Sequence, residues 1–363
     1  MRARKPPGAS LADSRETSIS QRCGYSVQRR ETRQSQYVSG FSVGAKQDTE
    51  PVARESLDRL NSRWLALMRA GRFEAAWRVS DRALQLRAGL DCSAWPRHEQ
   101  FIWRGDSLAG RRVLIRCYHG LGDTLQFARF VPQVRAMARE TVLWVQPALI
   151  PLLETARCAD RLLPLHAGVP DVEYDTDVEL SELMHVLRVT PRALQECPPY
   201  IRVKPVDAAR SGGALRVGLV WAAGEWDTCR TMRCEQLAPL AALQNVDWHL
   251  LQRGPALRHW CNGFGQLPCI ETILDEARVL ASLDLLITVD TCSAHLAGSL
   301  GVRVWTLLPY DADWRWMQSQ SATLWYPSMR LIRQPAPGDW GGVVSQVIAR
   351  LRAHLDGRRA VTD

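Results

Sequence analysis

The sequence predicts an α/β fold of two Rossmann-like domains facing a cleft, preceded by a short helical hairpin and a disordered N-terminal tail. Three observations carry this. Apolar strands bounded by turn residues alternate with short helices. The clearest case is 283–308, where LDLLITV runs into the polar turn DTCS, a helix over 294–300 and a second apolar strand over 302–308; strands of parallel sheets, buried on both faces, read as such continuous runs. The order of elements then restarts near residue 214, after a Pro-rich run. Finally, 363 residues, 46% of them apolar and 14 of them Trp, suffice for two cores, each of ~100–200 residues. The expected domains are a tail (1–53), a helical hairpin with linker (54–104), a first α/β domain (105–207), a second (208–356) and a C-terminal tail (357–363).

Residues 1–53 are polar and aperiodic, so they cannot bury enough surface to offset ordering. Over 56–90 apolar residues recur at three- and four-residue spacing, with Gly71 between Met68 and Phe73: a helix, a turn and a helix. Its second half, AGRFEAAWRVSDRALQL, resembles half of a tetratricopeptide unit, and a plain helical hairpin is the competing reading. At 113–117 a short apolar strand enters the glycine turn HGLGD, and an amphipathic helix is expected over 124–138. Strand, glycine loop and helix bring backbone N–H groups close to a phosphate or sugar, here at Gly120 and Gly122. Asp123 reads in two ways, as a helix N-cap or as a carboxylate base facing a cleft.

A strand is expected over 141–145, helices over 148–156 and 178–189, and a linker over 208–213. In the second domain ALRVGLVWAAG is a strand running into a small-residue loop, followed by a helix (237–243), a strand (247–252) and a helix (277–283). The turn after residue 289 lies at a strand's carboxyl end and opens a helix, the place where α/β sheets bind ligands and anions. Asp290, Thr291, Cys292, Ser293 and His295 occupy it. His295 also fits a satisfied core histidine. Trp314, Arg315 and Trp316 alternate ring and cation, suited to stacking on a base or sugar and equally to a core. Gln252 and Arg253 end a strand and fit a nucleotide loop or an ordinary turn.

Composition narrows the classes. Of the net charge of +8, +4 lies in residues 1–55, leaving a dilution over the rest that is no footprint for nucleic acid. No apolar run reaches membrane-span length and the start lacks the apolar core of a signal peptide, so a cytoplasmic protein is expected. The ten Cys lack CxxC spacing and read as thiols rather than disulfides or a metal site, with Cys229/Cys234 and Cys261/Cys269 as the near pairs. Neither domain has the full dinucleotide glycine fingerprint, which argues against a nicotinamide enzyme.

The motifs CYHGLGDTLQFARF, VGLVWAAGEWD with RTM after it, LLQRGP, VDTCSAHLAGSLG, PYDADWRW and WYPSMRLIRQPAPGDW, in order over 113–351, resemble the glycosyltransferases related to bacterial heptosyltransferases (glycosyltransferase family 9). The nearest branch carries tetratricopeptide repeats ahead of the catalytic region. The resemblance implies a GT-B fold, a nucleotide-sugar donor on the second domain, a glycan, lipid or protein acceptor on the first, inversion, and no metal or other cofactor. It implies Asp123 as general base, Asp290, Thr291 and His295 at the donor's sugar and phosphates, and Arg230 of RTM at the diphosphate. Cys292 departs from the glycine common after the Asp-Thr pair. A non-catalytic module of the same fold, using the hairpin for a partner, is the alternative.

Overall fold

The computed structural model describes residues 51–88, 103, 105–207, 213–224 and 227–362. Most of the expected tail, the linker up to residue 212, and Glu225 and Trp226 of the WAAGEWD motif lie outside the described residues. The described residues begin with a hairpin of α1 (Pro51–Arg69) and α2 (Phe73–Arg87), so a helix begins inside the stretch read as tail. The turn between them is made at Gly71, whose φ of 70° is disfavoured for a side-chain-bearing residue. The described residues contain this one helix pair and no further repeat.

The first half of the body runs β1 (Arg112–Arg116), α3 (Leu121–Phe127), α4 (Val131–Met137), β2 (Glu140–Val145), α5 (Ile150–Ala156), β3 (Arg161–Pro164), β4 (Thr176–Glu179), α6 (Leu183–Val186) and α7 (Pro191–Gln195). Its parallel sheet has the order β3-β2-β1-β4. The second half runs β5 (Leu215–Val220), β6 (Val246–Leu250), α8 (Pro255–Arg258), α9 (Ile273–Leu280), β7 (Leu285–Val289), α10 (Cys292–Leu300), β8 (Val304–Leu308), β9 (Met329–Arg333) and α11 (Trp340–Thr362). All neighbours are parallel again, in the order β6-β5-β7-β8-β9. Two parallel α/β halves around a cleft, the GT-B arrangement, are thus what the chain builds. β5, β7 and β8 are buried along their whole length, as central strands between two helical layers must be.

Four expectations need correction. The single helix over 124–138 is three pieces, because Pro132 cannot donate to the preceding turn and a 3₁₀ step at Ala128–Phe130 precedes it. The helix expected over 178–189 is the end of β4, a 3₁₀ turn at Leu180–Glu182 and the single turn of α6. The acidic residues of β4 hid the strand, since Asp177 is buried only by pairing with Arg116 on β1, at 2.9 Å. The helix expected over 237–243 is a 3₁₀ run, Cys234–Ala242, that accommodates Pro239. Past Asp356, where the body was expected to end, α11 continues to Thr362.

One apolar cluster runs from Leu57 of α1 through the first half to Leu331 of β9. The hairpin is therefore part of the body's core. Trp77 of α2 donates its indole N–H to the Val189 carbonyl (2.8 Å), and Asp81 pairs with His185 and Arg188. Helix α1 reaches the other half, where Trp64 meets Trp314 edge-on with centroids 5.2 Å apart and Arg69 pairs with Asp311.

Candidate functional site

The strand ends of the two sheets face each other across a cleft of about 590 Å³, within the range of small-molecule sites. The first half contributes Gly120–Asp123 at the start of α3. The second contributes the loops after β5, β6, β7 and β8. Helices α3 and α10 approach closely here. A Cβ on Gly122 would lie 3.0 Å from the His295 ring and 3.4 Å from Cys292 Cα, so the glycine is required by contact between the halves.

Asp123 stands at the third position of α3, whose N-cap is Gly120. The cap reading is thus corrected in position: Asp123 reaches back, its Oδ2 accepting the Gly120 N–H at 3.1 Å. Its Oδ1 accepts from Arg315 Nη2 at 2.6 Å across the cleft. The same guanidinium donates to Asp313 (2.9 Å) and Gln126 (2.8 Å). Each carboxylate oxygen of Asp123 has a second lone-pair site, so a substrate hydroxyl can still donate to it.

On the second half, Arg230 follows a short turn capped by Asp227 and lies 3.2 Å from Asp290 Oδ2 and 3.3 Å from Asp227 Oδ2. Asp290 follows β7, and Thr291 is the N-cap of α10, its hydroxyl 3.0 Å from that of Thr288. The first N–H groups of α10 have no acceptor within the helix and open into the cleft, which Thr291, Cys292 and Ser293 line. The Cys292 thiol is pushed up by burial and stays protonated. Ser293 donates to Glu276 at 2.5 Å, and Glu276 is held in turn by Arg253 at 2.7 Å. Burial raises Glu276, its hydrogen bond to Ser293 and the Arg253 charge opposing.

His295 is buried, stacked on Trp316 at 5.5 Å, with Nδ1 3.1 Å from the Tyr326 hydroxyl and Nε2 3.9 Å from Asp290. Burial, then the nearby Arg315, lowers it to about 3, so it is a neutral imidazole. It is thus a packed histidine that also lines the cleft.

Two predicted residues are also held by the protein itself. Gln252 lines the cleft, but its Oε1 accepts the N–H groups of Trp221 (3.0 Å) and Ala222 (2.8 Å). It shapes the loop after β5 and has no oxygen to spare for a ligand. Trp314 is not among the residues lining the cleft; it lies against Trp64 and Trp325 and beneath the Arg315 guanidinium, a core position. Its neighbour Arg315, read only as part of a stacking trio, is the residue that reaches the site. The available signal was Asp313 two residues earlier, which caps the turn and aims the guanidinium.

No family model matches the sequence. Among curated proteins, the protein FlbA of Caulobacter vibrioides is 24% identical over 286 residues, covering 69% of this chain and 48% of FlbA. The chain therefore spans about half the length of the curated relative it matches. Among solved structures, a glycosyl transferase family 9 protein from Veillonella parvula aligns over 68% of this chain and 97% of its own, at 12% identity and a TM-score of 0.47. E. coli heptosyltransferase WaaC with ADP covers 67% and 98%, at 14% and 0.43. The iron-containing dodecameric glycosyltransferase TibC of enterotoxigenic E. coli covers 69% and 78%, at 12% and 0.47.

Proposed function

We propose that this chain is a metal-independent, inverting glycosyltransferase, moving a sugar, a heptose among the candidates, from a nucleoside diphosphate to the hydroxyl of a glycan, lipid or protein acceptor. The observation that carries the reading is that a held carboxylate on one half, Asp123, and a guanidinium beside a helix N-terminus on the other, Arg230 and α10, line one cleft. Transfer develops positive charge at the anomeric carbon and negative charge on the departing diphosphate. Arg230 and the N–H groups at Cys292 and Ser293 take the diphosphate charge as preorganised donors, the part a metal ion would otherwise play. Asp123 accepts the acceptor's proton from the opposite wall, so attack comes from the face away from the leaving group and inverts the centre. Such a base contributes ~10²- to 10⁴-fold.

In this reading residues 105–207 receive the acceptor and 208–356 the donor, with Gly120 and Gly122 letting the acceptor near Asp123. The hairpin is a tetratricopeptide-like pair fixed to the body. The described cysteines are all free, and no helix among the described residues is long and apolar enough to cross a membrane.

The test is a panel of ADP-, UDP-, GDP- and CDP-linked sugars scored by thermal stabilisation. One member at 100 times its Kd adds ~2.7 kcal/mol. Asp123→Asn should keep that stabilisation and lose transfer by ~10²-fold or more. Stabilisation by none of them would leave the fold as a non-catalytic binding module.

A further inference from the structure

Outside the cleft, on the flank of the second half, two segments distant in sequence meet. Cys234 opens the 3₁₀ run after β5, and Cys261 follows α8, 27 residues later. Their sulfurs are 3.7 Å apart. Glu235 joins them, so that two thiols and a carboxylate oxygen all lie within 4.8 Å of one another. This cross-pairing differs from both near pairs that sequence spacing offered, Cys229/Cys234 and Cys261/Cys269.

We propose that Cys234, Cys261 and Glu235 bind a zinc-class divalent cation. Tetrahedral zinc with its usual zinc–sulfur bonds sets two thiolates about 3.8 Å apart, the separation found here. A bare thiol contact can have the same length; the third, anionic group converging on the pair is what selects a cation site. Two sulfurs favour zinc, cobalt or iron over magnesium and calcium.

The ligands are held before any ion arrives. Cys234 is buried, its carbonyl accepts from Asn262 Nδ2 at 2.6 Å, and its thiol donates to the His259 carbonyl. Cys261 and Glu235 are exposed and give the ion a way in. Loading replaces two S–H bonds by two metal–sulfur bonds and releases two protons; Glu235 and one water complete four ligands, and Cys234 gives up its bond to His259. The ion would tie α8, whose Pro255 and Ala256 line the cleft, to the segment just after Arg230. This site does not depend on the transferase reading.

Cobalt(II) is the probe, added to the full reduced chain. One equivalent should produce a sulfur-to-cobalt charge-transfer band and the intense visible bands of tetrahedral cobalt, and zinc should remove both. Cys261→Ser, at an exposed position that leaves the core intact, should halve the charge-transfer band or abolish it. Glu235→Gln should weaken binding ~10-fold or more, and zinc should protect two thiols from alkylation in the wild type but none at these positions in Cys261→Ser. Absence of the band, a band unchanged in Cys261→Ser, or recovery of Cys234–Cys261 as a disulfide in a chain that takes no cobalt would each overturn the site.

Discussion

Two arginines cross between the halves of the body in opposite directions, and they do so differently. Arg129, from the first half, donates to the Trp325 carbonyl at 2.7 Å and the Gln126 carbonyl at 2.9 Å, and lies over the rings of Tyr326 (4.6 Å), Tyr200 (5.0 Å) and Trp325 (5.5 Å). No carboxylate among the described residues pairs with it. Burial lowers it, yet the facing phenols of Tyr200 and Tyr326 leave it above the usual arginine value. Arg315, from the second half, is as buried but meets two carboxylates, Asp123 and Asp313, at the edge of the cleft. Carbonyls and rings make a dry, fixed joint. Carboxylates beside water make one whose partners a ligand can exchange. Both meet Gln126, Arg129 at its carbonyl and Arg315 at its side-chain oxygen.

Removing each arginine sharpens the contrast. Arg129→Ala leaves two carbonyls, a phenol and three ring faces without their partner in a dry interior, and should cost ~3 kcal/mol or more. For a body of this size that lowers Tm by roughly 6 °C or more. A melting curve within ~2 °C of wild type would break the distinction. Arg315→Met should cost less, ~1–2 kcal/mol, since water can reach Asp123 and Asp313 once the guanidinium is gone. Its signature is coupling. In a denaturant double-mutant cycle with Asp123→Asn it should show an interaction energy of ~1–2 kcal/mol, whereas Arg129→Ala with Asp123→Asn should be additive within ~0.5 kcal/mol. Equal coupling for both pairs would mean that the cleft joint is no more tied to Asp123 than the dry one.

The dry joint and the cleft joint were unequally legible in the sequence. Local apolar runs announced β5, β7 and β8, because a strand buried on both faces has no polar register to hide it. The turn from Asp290 to His295 was readable for the same reason, lying between two such runs. Strand β4 was not: Asp177 and Glu179 look like surface residues until Arg116, 61 positions earlier, is placed beside them. Arg315 and Trp314 are adjacent, and sequence alone could not say which of them turns into the cleft. That depends on α1, whose Trp64 draws Trp314 into the core and leaves Arg315 to face Asp123. Arg129 gave no signal, since apart from the local Gln126 carbonyl its partners are a backbone carbonyl and rings from 70 to 200 residues away.

His295 touches both joints, and its titration gives the smallest effect. Its Nδ1 meets Tyr326 of the Arg129 cage, while burial and then Arg315 lower its pKa to about 3, against an ordinary value near 6.5. Between those values the unfolded chain binds a proton that the folded chain refuses. Stability from this residue is therefore complete above about 6.5 and is lost as pH falls toward 3, by at most ~1.4 kcal/mol per pH unit. The total slope will not show this directly, because burial pushes Glu182 up to about 7 and that carboxyl acts with the opposite sign as pH falls from 7 toward 4.5. The difference between wild type and His295→Gln isolates it. Glutamine cannot take up the proton, so the variant, whatever it loses at pH 7.5, should regain ground on the wild type as pH is lowered from 6.5 to 5. Melting curves that stay parallel over that interval would mean that the folded imidazole accepts the proton after all. Asp290, 3.9 Å from Nε2, would then be its counter-ion, and the second half's wall of the cleft would carry an imidazolium in place of a neutral ring.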